Sequence, residues 1–68
     1  MIHVPLVEIT LWTGRSPDVK ESVMREVADA VARTTGAPLD AVEVVIHDVP
    51  KTNWGFGGKP FAKTHPDV

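Results

Sequence analysis

The chain has 68 residues, 43% hydrophobic and 24% charged, with a formal net charge of -2 and no cysteine. A slightly acidic chain has no electrostatic reason to bind nucleic acid, and no apolar run approaches the roughly 20 residues of a membrane span. His3, His47 and His65 have no metal-ligand spacing, so neither a disulfide nor a structural metal supports a domain that, at this size, buries only roughly 60% of its unfolded surface; oligomerisation is the remaining support.

In chain order, Val4 to Trp12 alternate. Val7, Ile9 and Leu11 fall on one face and Leu6, Glu8, Thr10 and Trp12 on the other, which predicts a strand. Pro5 has no amide donor and suits the first position of that strand. Thr13-Gly14-Arg15 makes a tight exit, and Ser16-Pro17-Asp18 starts a helix with a serine cap, a proline in the first turn and an acid facing the positive end of the dipole. Val19, Val23, Val27, Ala30, Val31 and Thr34 recur at helical spacing, widened by Met24 and Ala28. Glu21 with Arg25 and Asp29 with Arg33 form i,i+4 pairs on the wet side. Gly36 and Pro38 end the helix, which is expected from Pro17 to Thr35.

Val42 to Asp48 alternate again, with Val42, Val44 and Ile46 on one face. Strand, helix, strand in this length predicts an α/β subunit of βαβ type: a parallel strand pair with the helix on one face. The other face carries Leu6, Val45 and Trp12 among polar residues and is expected to meet another subunit. After a turn at Pro50 to Asn53, Trp54-Gly55-Phe56-Gly57-Gly58 reads as a short hairpin packing on a neighbour. Residues 59–68 contain two prolines and little periodicity, and are expected to be a loose tail of a single domain, 1–68.

One cation stands out. Arg15 lies beside a helix N-terminus, where positive charge is disfavoured, which hints at an anion bound there. The alternative is a surface arginine paired with Glu8 or Asp18.

The proline-led strand, the Gly14-Arg15-Ser16 turn, Arg25-Glu26-Val27 in the helix, the Ala37-Pro38-Leu39 connection and Trp54-Gly55-Phe56-Gly57-Gly58 together resemble the 4-oxalocrotonate tautomerase family from Pro5 to Gly58. The resemblance implies a subunit that pairs into a dimer with a four-stranded sheet, and a trimer of such dimers, a homohexamer. It implies a cytoplasmic, cofactor-independent keto-enol tautomerase, an isomerase of aromatic compound catabolism acting on a small enol or dienol keto acid.

In that family an amino-terminal proline is the general base, and Pro5 matches it. The chemistry needs a nitrogen lone pair. An α-amine has a reference pKa near ~8, and burial beside a cation lowers it towards neutrality, whereas an internal proline nitrogen is an amide. Met1-Ile2-His3-Val4 precede Pro5; residues 1–4 are either an N-terminal extension or a misassigned start in which Val4 stands for the initiator. Read alone, Pro5 is a strand-leading proline.

Arg15 matches the family arginine that holds the substrate carboxylate, and Trp54 an aromatic position, more often phenylalanine, that walls the pocket. Glu43 stands where many relatives carry a second arginine. That charge reversal disfavours a dicarboxylate and points to a monocarboxylate such as an arylpyruvate enol. Two alternatives stay open: hydration or dehalogenation of an unsaturated acid assisted by Glu43, or noncatalytic capture of a small carboxylate if Pro5 is blocked. Glu43 paired with Arg15, or simply solvated, is the bland reading of that position.

Overall fold

A computed structural model of the chain describes residues 5–64. Residues 1–4, with His3, and the last four residues of the expected tail, with His65, lie outside the described residues. Strand β1 (Leu6–Trp12) is followed by helix α1 (Pro17–Thr35) and strand β2 (Glu43–Val49), with a single 3-10 turn (Leu39–Ala41) between helix and second strand. β1 and β2 run parallel, with Val7 opposite Val44 and Ile9 opposite Ile46, so the apolar sets of both strands share one face. That face meets α1 through β2. The expected βαβ architecture is present.

The caps are those the sequence encodes. Ser16 Oγ accepts from the Val19 amide at 3.2 Å, and Gly36, at φ 81°, closes the helix by donating to the Ala32 carbonyl at 3.0 Å. Of the two expected helix pairs, Arg33 reaches Asp29 at 2.8 Å, while Arg25 turns to the Ser22 hydroxyl instead of Glu21. Val23, Val27, Ala30 and Val31 are half-buried, whereas Val19, Met24 and Thr34 are exposed. Thr34 uses its hydroxyl to donate back to the Ala30 carbonyl. An ion pair between Lys20 and Asp48 ties the second turn of α1 to the far end of β2.

The end of the chain departs from expectation. Lys51–Asn53 forms a second 3-10 turn, then strands β3 (Gly55–Phe56) and β4 (Lys59–Pro60) make an antiparallel hairpin, and a single helical turn α2 (Phe61–Thr64) follows. Gly57 and Gly58 have φ of 59° and 82°, the two positive values a tight hairpin turn demands. Residues 59–64 are therefore not a loose tail, and the segment after the hairpin packs back on its own chain. Phe61 stacks on Trp12 with ring centroids 4.3 Å apart, and its amide donates to the Trp54 carbonyl. An aromatic ring laid on another supplies the burial that the missing periodicity concealed.

Phe61, at 5% exposure, is the only buried hydrophobic side chain among the described residues. The accessible surface is 5142 Å², roughly 900 Å² more than the ~4,200 Å² typical of a compact chain of this mass. The radius of gyration is 15.4 Å, against about 11 Å for a compact domain of this length. The uncovered surface is apolar in patches: Leu6 is 56% and Val45 41% exposed on the sheet's outer face, beside a Glu8 to His47 contact of 3.5 Å.

Replacing Phe61 with alanine removes the one buried ring, and a loss of about 3 kcal/mol is expected. Urea unfolding followed by tryptophan fluorescence measures it; a loss below about 1 kcal/mol would show that Phe61 does not anchor the C-terminal segment.

Candidate active site

All four aromatic residues of the chain, Trp12, Trp54, Phe56 and Phe61, converge at one end of the sheet. Trp12 ends β1. Its ring is sandwiched by the near-parallel Phe61 and met edge-on by Trp54, with centroids 5.7 Å apart and planes at 83°. Beside this cluster the chain leaves β1 through Thr13, whose amide donates to the Val49 carbonyl, and Gly14 turns it so that Arg15 precedes α1.

A cavity of about 220 Å³ lies here, lined by Thr10, Leu11, Trp12, Arg15 and Trp54. Arg15 and Trp54, two of the residues singled out in the sequence and separated by most of the chain, therefore share one hollow. Arg15 Nη1 donates to the Trp12 carbonyl at 3.2 Å. Neither Glu8 nor Asp18 pairs with Arg15 among the described residues; the ion pairs there are Lys20 with Asp48, Arg33 with Asp29, and His47 near Glu8. The guanidinium keeps donors free for a carboxylate, which it can grip through two parallel hydrogen bonds, while the indoles offer apolar walls that exclude water. Larger hollows along α1, one of about 480 Å³ lined by Asp18, Val19, Ser22, Val23, Glu26 and Val27, contain none of the residues singled out.

Pro5 and Glu43 lie elsewhere. The Glu43 amide donates to the Pro5 carbonyl at 2.9 Å, so the two are neighbours at the start of the parallel pair. Glu43 is opposite Leu6 in register and shares its exposed face, while Pro5 continues the half-buried set of Val7 and Ile9. From there to the cavity is the length of β1, seven residues, or about 23 Å at the rise of a strand. Within one chain Pro5 cannot meet Arg15, and Glu43 cannot pair with it.

Trp12 is expected from the sequence only on the face that meets another subunit, with no part in the site. It was assigned to the outer face of β1 by alternation, yet it is half-buried and lines the cavity. Its signal is compositional: with only four aromatics in the chain, three in and beside the hairpin and one at a strand end imply a shared cluster. Among the described residues no group of three or more His, Cys, Asp or Glu side chains can hold a metal ion, and no helix there is long and apolar enough to cross a membrane.

Comparison with known proteins gives a family match to the model described as tautomerase enzyme over residues 5–64. A 2-hydroxymuconate tautomerase of Pseudomonas putida is 38% identical over 60 residues, covering 88% of this chain and 95% of its own. Among solved structures, a 4-oxalocrotonate tautomerase from Chloroflexus aurantiacus described as a heterohexamer superposes with a TM-score of 0.81 at 36% identity, covering 87% of this chain and 95% of its own. A 4-oxalocrotonate tautomerase isozyme from Methylibium petroleiphilum gives a TM-score of 0.83 at 41% identity, with 90% and 98% covered.

Proposed function

The chain belongs to the tautomerase family, and on that premise we propose that it interconverts the enol and keto forms of a small monocarboxylic keto acid, with the Pro5 amine as base, Arg15 as carboxylate clamp and Trp54 as wall. The observation that carries this reading is the joint placement of a carboxylate-free Arg15 and Trp54 in one cavity. The family match beginning at residue 5 supports Pro5 as the first residue of the active species.

The reaction needs no redox partner. The amine lone pair takes the enol hydroxyl proton; the O–H electrons form the C=O bond as the C=C bond opens, and the prolinium returns the proton to carbon. Arg15 holds the carboxylate so that the enol stays within reach of the base, and Trp54 keeps water from competing for the proton.

The ~23 Å between Pro5 and the cavity requires two subunits. β1 has only β2 as a neighbour among the described residues, so its other edge is unpaired. A second copy running antiparallel along that edge brings its Pro5 to the Trp12 end of the first, and creates two equivalent sites across a four-stranded sheet. Further association into three dimers, a homohexamer in the cytoplasm, would cover the outer sheet face.

Glu43 bears on substrate choice. Several relatives are named for 2-hydroxymuconate, a dicarboxylate; a glutamate at the Pro5 end repels a second carboxylate, which favours a monocarboxylate such as phenylenolpyruvate.

Protein trimmed to begin at Pro5 is expected to ketonise phenylenolpyruvate at least about a hundredfold faster than protein retaining Met1 to Val4, with intact mass defining each species; equal rates would sink the amine mechanism. Mixing a chain retaining Met1 to Val4 with a trimmed Arg15→Ala chain, each inactive alone, should restore activity through hybrid sites, and a mixture as inactive as its parts would exclude a shared site. Glu43→Arg should raise kcat/KM for a dicarboxylate dienol by about tenfold through KM, whereas no gain would put Glu43 outside the pocket.

A further inference from the structure

Trp12 carries a feature that packing alone does not account for. Its indole Nε1 is buried and has no hydrogen-bond partner among the described residues. Leaving a buried donor unpaired costs about 1 to 3 kcal/mol, and a phenylalanine would stack on Phe61 without that cost. An orphaned donor of this kind calls for a partner that arrives later. The same residue lines the cavity that holds Arg15, and its own carbonyl fixes the Arg15 guanidinium at 3.2 Å. Phe61 locks the Trp12 plane from one side, while Trp54 touches it only edge-on.

We infer that Trp12 is a substrate-contacting, specificity-determining residue: with Trp54 it forms a two-indole slot for the planar body of an aryl or otherwise conjugated carboxylate, and its Nε1–H is the donor for an oxygen of that ligand. The inference rests on the proposed function for the role of Arg15, but adds a second protein contact and the preferred shape of the ligand. A cation at one end and two indoles along the side select for a flat, conjugated acid over a short aliphatic one, because each aromatic contact adds to the ion pair that both ligands share. Nε1 is buried in the structure, so a ligand oxygen reaches it only with a shift of the side chains that cover it.

The test uses binding of unreactive acids, so it stands whether or not Pro5 is a base. Cinnamate and crotonate are titrated into the assembled protein by calorimetry, and into ¹⁵N-labelled protein with the two indole N–H resonances assigned through Trp54→Phe. Cinnamate is expected to bind more tightly than crotonate, both losing affinity in Arg15→Ala, and Trp12→Phe is expected to reduce the preference for cinnamate by about fivefold. The Trp12 N–H resonance should move in step with saturation. An unchanged preference in a folded Trp12→Phe protein, a stationary Trp12 resonance in the wild type, or cinnamate binding indifferent to Arg15→Ala would each overturn the inference. Should Trp12→Phe fail to fold, the wild-type resonance decides alone. Loss of the preference in Trp12→Phe alongside an inactive trimmed enzyme would overturn the base mechanism and leave the slot standing, whereas the converse would overturn the slot alone.

Discussion

The stack of Phe61 on Trp12 is the contact on which the rest of the site depends. A two-stranded sheet with one helix has no reason to keep a short glycine-rich hairpin at any particular place, and two-residue strands hold little on their own. Once Phe61 lies on Trp12, the amide of Phe61 donates to Trp54 and the hairpin is drawn back over the end of β1. Trp54 then has to lie beside Arg15, because Arg15 is tethered to the carbonyl of the same Trp12. One residue, at the end of one strand, thus positions the wall through its ring and the cation through its backbone.

The price of so small a chain is an incomplete core, and the incompleteness is organised. Apolar residues on the inner sheet face are half-covered by α1, while Leu6 and Val45 on the outer face stay largely exposed. The same geometry separates Pro5 from Arg15 by the length of a strand. In the proposed assembly a second copy along β1 would supply the missing chemistry, and further association against the outer face the missing burial. In such an arrangement loss of assembly and loss of activity are the same event, which is a physical reason for a tautomerase subunit of 68 residues to act only in company.

The elements with strict periodicity were legible in the sequence: α1 has its expected bounds, β2 lies within a residue of them, β1 ends at Trp12 as expected, and the Ser16 and Gly36 caps act as their residue types dictate. Arg15 was legible too, since a cation at the positive end of a dipole contradicts local electrostatics and so advertises an anion. Phe61 and Trp12 were not. Phe61 sits between two prolines and a polar tail with no repeat to reveal which face is buried, and its burial depends on a ring more than forty residues upstream by count of the chain. Alternation placed Trp12 on the outer face correctly in parity, but parity says nothing about what a hairpin later folds over it. Non-local aromatic contacts leave no periodic trace, and here both of the missed residues belong to one such contact.

The two ends of β1 also carry opposite charge, and that asymmetry shapes what an assembled site can do. Arg15 stands at the cavity end and Glu43, hydrogen-bonded through its amide to Pro5, at the other. In an antiparallel pair each base lies between the partner's cation and a carboxylate on its own sheet. The cation favours the neutral amine, the form that accepts a proton, and a nearby carboxylate favours the protonated form that returns it. Which influence prevails depends on distance and solvent: Glu43 and Arg15 are both exposed in the single chain, where water screens them, and closure of the proposed intersubunit site over the indole-walled cavity would strengthen the cation's share. In the proposed site the cation would then dominate at the base, and the glutamate would act on the ligand, by repelling a second carboxylate that approaches from the open side.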